Sequence, residues 1–334
     1  MRKITELDGD IRFFSYSAVG GYEERRGPLG DKFDYCDDSD KFGQKTWELS
    51  EAEMGRISLN IALSKANLSH EEIDILVAGD LQNQCVSSSL GLSGFGIPYI
   101  GVYGACSTCT ESLMVLSSFM NSNKEIKYGA AITTSHNSAA ERQFRTPIEY
   151  GGQRTPSAQW TATAAGSFIL GREGNVSIKE YMPGKIINGA TSDGSNMGAA
   201  MSFAAADTIL SYFSETSYPI SHFDYIITGD LGKIGSKLLC DILKKEKPGI
   251  EKFHIDCGML LYDFEKKDVH SGASGCGTSA SVLSTHFLPL LENGNLKRVL
   301  FLSTGALMSP SSILQGENIY GIAPLLYLEN INSN

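Results

Sequence analysis

The chain has 334 residues, of which 42% are hydrophobic and 20% are charged, and its net charge is −10. Such an acidic balance argues against a broad nucleic-acid-binding surface, and no apolar run approaches the roughly 18 residues that span a bilayer. The seven cysteines are an odd number in a long chain, and the first residues lack the apolar core of a secretory signal. We therefore expect an intracellular protein without a disulfide framework, signal peptide or transmembrane segment.

The first predicted elements are a helix and a buried strand. Residues 45–66 carry apolar side chains at Trp47, Met54, Ile57 and Ile61, a spacing that places them on one helical face. Residues 73–78 then form an apolar run with hydrophobic residues on both faces, which is typical of a covered parallel sheet. The sequence thus predicts an α/β protein.

Cys106 follows an apolar run at 97–102 and precedes a helix-like run at 111–120. A strand that enters a helix through small residues places the thiol at the helix N-terminus, where free N–H groups and the helix dipole favour a thiolate. This position predicts a nucleophile or a pocket for an anion. Two alternatives stay open, an inert buried thiol and a redox or metal-binding pair with Cys109.

The second half of the chain repeats the pattern of the first. Residues 223–231 match residues 73–81, including the Gly-Asp-Leu that ends each segment, and a predicted helix at 198–213 precedes the second copy. Cys276 then takes the place of Cys106, and an insertion at 256–263 indicates an extra strand and turn. We expect a duplicated chain whose N-terminal half is 1–175 and whose C-terminal half is 176–334.

These features resemble the thiolase fold, and within it the stage V sporulation protein AD family of spore-forming bacteria. The segments that carry the resemblance span nearly the whole chain, and they are Gln44–Glu48, Ala78–Gln84, Tyr103–Thr108, Ser135–Arg145, Glu149–Gln153, Met197–Met201, Ala204–Ile209, Ser274–Cys276 and Thr304–Leu307. The resemblance implies a thiolase-like, duplicated αβαβα layered fold and a homodimer.

The resemblance also implies a binding role. Members of this family belong to a spore membrane complex that takes up dipicolinic acid, chelated with calcium, during sporulation and releases it in germination. The chain would be the soluble, dipicolinate-binding component, peripheral on the spore (forespore) inner membrane, with membrane subunits as its partners. We expect no cofactor, and the sequence lacks EF-hand spacing, so calcium would arrive with the ligand.

An enzyme of this fold needs acid–base groups beside its nucleophile. Thiolases carry a Gly-His-Pro-x-Gly-x-Ser-Gly segment, but here the same register places Val269, not His270, at the histidine position. Their late Cys-x-Gly-Gly-Gly is matched by residues 303–307, which contain no thiol. This favours a binding pocket over catalysis. The alternative is a condensing or acyl-transfer enzyme with Cys106 as nucleophile and His136 as its partner.

The candidate ligand-binding residues are Cys106, His136, Asn137, Arg142, Arg145 and Asn196. His136 and Asn137 follow a predicted strand at 131–135, and the carboxyl ends of parallel strands border the ligand crevice. The two arginines would bind carboxylates through paired N–H groups, and Phe144 or Tyr150 would stack on a pyridine ring. The alternative is a solvated loop in which the arginines pair with neighbouring glutamates. Asn196 precedes the second-half helix and would donate its amide.

Overall fold

The structure is a computed structural model that describes residues 4–8, 10–144 and 154–332. The helices in this part of the chain are α1 (Tyr22–Arg25), α2 (Trp47–Ala66), α3 (Val86–Leu92), α4 (Thr108–Ser122), α5 (Asn137–Phe144), α6 (Met197–Glu215), α7 (Gly232–Glu246), α8 (Cys276–Val282), α9 (Leu288–Glu292) and α10 (Pro310–Leu314). None of these helices is long and apolar enough to cross a membrane.

The strands of the first half are β1 (Thr5–Glu6), β2 (Arg12–Gly20), β3 (Tyr35–Cys36), β4 (Ile75–Gly79), β5 (Tyr99–Gly101), β6 (Gly129–Ser135), β7 (Trp160–Thr161) and β8 (Ala164–Gly171). Those of the second half are β9 (Val176–Met182), β10 (Ile187–Asn188), β11 (Tyr225–Thr228), β12 (His254–Asp256), β13 (Ala273–Ser274), β14 (Arg298–Leu302), β15 (Gly305–Leu307), β16 (Tyr320–Ile322) and β17 (Leu325–Asn330).

The main sheet shows the duplication directly. Its strands follow the order β12-β11-β14-β17-β9-β2-β8-β6-β4-β5, so the two halves repeat one arrangement outward from the β9–β2 pair. In each half, two strand pairs are parallel and the next is antiparallel. The halves join where Arg12 pairs with Ser177. The division at residue 175 stays a prediction, because the turn there joins strands of one sheet.

Helices cover and separate the two halves of the sheet. α2 packs on β2, β6 and β8, whereas α6 and α7 pack on each other over the second half. Between the halves, α4 contacts β4 and β6 on one side and β17 on the other, and α8 contacts β2, β6 and β8. These layers form the αβαβα arrangement. Because α4 and α8 are covered on both sides, the turns that start them are buried.

The local sequence explains where α2 begins and ends. The Thr46 side chain accepts a hydrogen bond from the Leu49 N–H at 3.3 Å, which satisfies one free donor of the first turn. Asn67 ends the helix in the left-handed region, with φ of 54°. The predicted helix at 45–66 is therefore confirmed to within two residues.

The insertion in the second half differs from its prediction. The strand in this region is β12, and it ends at Asp256 where the predicted extra strand would begin. β12 pairs in parallel with β11 as β5 pairs with β4, so it is the counterpart of an existing strand. Residues 257–259 form a 3₁₀ turn. The prediction of an extra strand is wrong because the apolar residues there fill the core under a loop.

Candidate functional site

Cys106 lies in a tight turn that precedes α4. Ala105 adopts a left-handed conformation with φ of 53°, and the Thr108 hydroxyl closes the turn by donating to the Ala105 carbonyl at 2.7 Å. The second half of the chain holds this turn from outside. A Cβ on Gly305 would lie only 2.2 Å from the Gly104 carbonyl oxygen, so the close approach requires glycine at 305. Both halves thus build the turn.

The thiol of Cys106 faces a carboxylate. Only 5% of the residue is exposed, and the fully buried carboxylate of Asp230 is the charge that acts most strongly on its thiol. Burial, followed by the negative charge of Asp230, raises the pKa of Cys106 well above its ordinary value. The expectation that the helix N-terminus favours a thiolate is therefore wrong, because desolvation and a neighbouring anion outweigh the helix dipole.

Asp230 is the centre of the site. It follows β11, and its carboxylate accepts hydrogen bonds from the Thr304 hydroxyl at 2.9 Å, the Gly275 N–H at 2.8 Å and the Ser274 hydroxyl at 3.3 Å. Burial raises the pKa of Asp230 to about 7. Asp230 was not among the candidate residues predicted from the sequence, although it lies in the repeated Gly-Asp-Leu that could have indicated it.

A second thiol lies beside the first. Cys276 begins α8, and its Sγ donates to the Thr134 carbonyl at 3.0 Å. Cys106 and Cys276 belong to one small apolar cluster with Leu81 and Ala140, and Phe144 packs against it. Burial raises the pKa of Cys276 well above its ordinary value. The wall of the site is therefore apolar and sulfur-rich.

His136 points away from Cys106. Its Nε2 lies 2.8 Å from the Asp40 carbonyl oxygen, and its ring packs on Trp47 with 5.3 Å between centroids. Side chains alternate along the end of β6, so Ser135 faces Gly275 and His136 faces α2. The side chain of the next residue, Asn137, donates to the Thr161 carbonyl at 3.1 Å. The structure does not bring these two side chains to the thiol.

The other candidate residues surround the site at different distances from Cys106. Arg142 forms an ion pair with Glu48 of α2, and it lies two residues from both Ala140 and Phe144, on the opposite face of α5. Asn196 precedes α6, and its buried Oδ1 accepts no hydrogen bond from the described residues. Arg145 lies outside the described residues.

The described residues include all six histidines. After burial, the groups with the largest effects on the pKa of Cys106 are Asp230, Gly275 and Ser274, and no histidine is among them. The six histidines instead contact other residues: His70 contacts Phe95, His136 contacts Asp40, His222 contacts Tyr327, His254 contacts Thr228, His270 contacts Asp268 and His286 contacts Phe287. Within the described ranges, no group of three or more His, Cys, Asp or Glu side chains is arranged to hold a metal ion.

Comparison with solved structures defines the class of protein. OleA of Xanthomonas campestris matches with a TM-score of 0.59 at 14% identity, covering 97% of this chain and 99% of that one. The 3-oxoacyl-[acyl-carrier-protein] synthase III of Aquifex aeolicus VF5 matches with a TM-score of 0.59 at 12% identity, covering 96% and 99%. The chain therefore has a thiolase-like fold.

Sequence comparison narrows this class to one family. The sequence model of the stage V sporulation protein AD family matches residues 2–329 of this chain. Stage V sporulation protein AD of Bacillus subtilis (strain 168) is 40% identical over 310 residues, which cover 92% of this chain and 91% of that protein. The chain belongs to the stage V sporulation protein AD family, and it is a sporulation protein on a thiolase-like scaffold.

Proposed function

We propose that this chain binds dipicolinic acid beside the Cys106 turn. In this proposal it serves a complex at the spore inner membrane that takes up dipicolinate, carried as its calcium chelate, in sporulation and releases it in germination. Family membership supports the setting. The observation that supports binding over catalysis is the burial of the Cys106 thiol beside the buried carboxylate of Asp230, which together raise the pKa of the thiol.

A thiol nucleophile reacts as its thiolate. In this site burial and the Asp230 carboxylate both disfavour a second negative charge, so the thiol keeps its proton near neutral pH. The backbone N–H of Gly275 donates to Asp230, which occupies one donor that could stabilise an oxyanion. The geometry therefore favours an uncharged thiol in a binding surface over a reactive nucleophile at Cys106.

The ligand side of the proposal rests on α5 and the residues after it. Phe144 packs against the Cys106 cluster and offers an aromatic ring for a pyridine to stack on. Arginine binds carboxylates through two parallel N–H groups, and we assign this role to Arg145 and, on release from Glu48, to Arg142. His136, Asn137 and Asn196 complete the proposed set, and of these Asn196 has a buried Oδ1 that accepts no hydrogen bond from the described residues.

Isothermal titration calorimetry with dipicolinate, with and without calcium, tests the proposal. We expect Arg145→Gln to weaken binding at least tenfold, because an uncharged amide cannot form the paired contact. Arg56→Gln is the matched control, since Arg56 pairs with Glu53 on the exposed side of α2. Absence of heat with the unaltered protein would refute the proposal. Unchanged affinity in a variant with both Arg142 and Arg145 replaced would refute the arginine assignment.

Acyl transfer is the second candidate, and the position of Cys106 at the start of α4 in a thiolase-like fold favours it. Intact-mass spectrometry after incubation with acyl thioesters of several chain lengths distinguishes the two functions. The binding proposal predicts no adduct. An acyl adduct that disappears in Cys106→Ala would establish a reactive thiol and overturn the non-catalytic assignment.

We further propose that the chain forms a homodimer and that membrane subunits bind the dimer. β5 ends the path of the main sheet, and Tyr99 within this strand is 40% exposed. An unpaired strand edge with exposed apolar residues favours association. Light scattering should show a dimer that Tyr99→Glu weakens, whereas Leu314→Glu, at an 88% exposed leucine elsewhere, should not. A monomeric unaltered protein would contradict the dimer.

A further inference from the structure

A cavity lies at the end of the second half of the sheet that is opposite to the Cys106 turn. Its volume is about 790 Å³, within the range of small-molecule sites. Arg298, one of its lining residues, begins β14, whereas the other end of that strand leads through Ser303 to the Cys106 turn. We name this space the far-end cavity, and define it by Glu180, Tyr218, His222, Arg298, Tyr327 and Glu329.

Glu180 gives the far-end cavity its chemistry. The residue is only 5% exposed, and its two carboxylate oxygens accept hydrogen bonds from the Tyr212 hydroxyl at 2.7 Å and the Tyr218 hydroxyl at 3.3 Å. Both donors are neutral, so they satisfy the oxygens without compensating the charge. A buried carboxylate whose described hydrogen-bond donors are neutral is costly, and a cationic ligand would lower that cost.

The other carboxylate of the cavity behaves differently. Glu329 accepts from the Arg298 guanidinium at 2.9 Å and lies 3.8 Å from the Lys179 ammonium. The two cations of the described lining, Arg298 and Lys179, thus both lie against Glu329 rather than Glu180.

Aromatic rings form the wall beside Glu180. Tyr218 stacks on His222 with 4.3 Å between centroids, and Tyr327 packs edge-on against both rings. The Tyr327 hydroxyl donates to Glu329 at 3.1 Å and lies 3.0 Å from His222 Nε2. This hydroxyl therefore accepts from the imidazole N–H, which fixes the ring of His222. Carboxylates combined with a fixed aromatic wall recognise organic cations.

We propose that the far-end cavity binds an organic cation with an ammonium or guanidinium group, for which Glu180 is the counter-ion and the rings of Tyr218 and Tyr327 are the contact surface. The cation is either a free small amine or the side chain of a basic residue on another protein. The two sources share one chemistry, and two probes distinguish them.

Calorimetry with agmatine and with the capped peptide acetyl-Gly-Arg-Gly-amide tests this assignment. We expect at least one probe to bind the unaltered protein, and 0.5 M NaCl to weaken that binding. Glu180→Gln should reduce the affinity at least tenfold while keeping the shape of the side chain. Binding of agmatine alone indicates a free amine, and binding of the peptide alone indicates a protein side chain.

Glu125→Gln is the matched control, because it removes the same charge from an exposed loop. If Glu180→Gln does not fold, Tyr218→Leu replaces it with the same expected loss. Failure of both probes to bind the unaltered protein overturns the proposal, as does equal affinity in Glu180→Gln. Dipicolinate binding at the Cys106 site should be unchanged in Glu180→Gln, so this test is independent of the proposed function.

Discussion

Replacement of Thr304 by valine tests how the second half holds the Cys106 site. The Thr304 hydroxyl donates to Asp230 Oδ1 at 2.9 Å and accepts from the Asp230 N–H at 3.2 Å, and both residues are fully buried. Valine has nearly the same shape, so the substitution removes two hydrogen bonds without opening a cavity. A buried bond to a charged group contributes about 1.5–3 kcal/mol and a neutral one about 1 kcal/mol. We expect Thr304→Val to lower the free energy of unfolding by about 2–4 kcal/mol.

Urea denaturation at pH 7.5 measures this loss, and Thr304→Ser is the matched control. Serine keeps the hydroxyl and loses one buried methyl group, which costs about 1 kcal/mol. The reasoning therefore requires the valine variant to be clearly less stable than the serine variant. Equal stability of the two variants would show that the hydroxyl contributes no more than the methyl group, about 1 kcal/mol, and would contradict the expected loss.

Two further predictions concern stability. Burial, and then the charge of Asp80, raise the pKa of Glu51 from 4.5 to about 8. The folded state therefore keeps a proton on Glu51 that the unfolded state loses above about pH 4.5. The free energy of unfolding falls as the pH rises from about 4.5 to about 8. Urea denaturation at pH 5, 6, 7 and 8 should show a smaller fall in Glu51→Gln, and identical slopes would contradict a raised pKa. Because Asn67 is left-handed and exposed, Asn67→Ala should lose about 1 kcal/mol in thermal or urea unfolding while Asn67→Gly should not. Equal losses would exclude that conformation as the cause.

The sequence predicted those helices and strands whose formation depends on residues close together along the chain. The apolar stripe of α2 and its cap at Thr46 involve residues close along the chain, so periodicity and capping rules located the helix. The repeated Gly-Asp-Leu predicted the duplication, because the same strand and turn recur in both halves of the sheet. In the site, the same logic placed Cys106 just before α4.

The environment of the thiol could not be predicted in this way. The carboxylate that adds to burial in raising the pKa of Cys106 comes from the other half of the chain, and the packing of α4 between the two halves of the main sheet brings the two groups together. His136 was expected at the site because it follows β6, but the alternation of side chains turns it towards Trp47. A shift of one residue decides which face a side chain takes, and the end of a strand is the hardest position to assign.

The two copies of Gly-Asp show how the duplicated halves diverged in chemistry. Asp80 accepts from the Gln82 N–H at 2.8 Å, and from the Ser88 N–H at 2.8 Å and hydroxyl at 2.6 Å, so it caps backbone within its own half. Asp230 occupies the equivalent place after β11, but its charge raises the pKa of the Cys106 thiol in the other half. A carboxylate that keeps a thiol protonated opposes nucleophilic attack by that thiol. For this reason an acyl adduct at Cys106 would contradict the binding proposal more directly than any loss of ligand affinity.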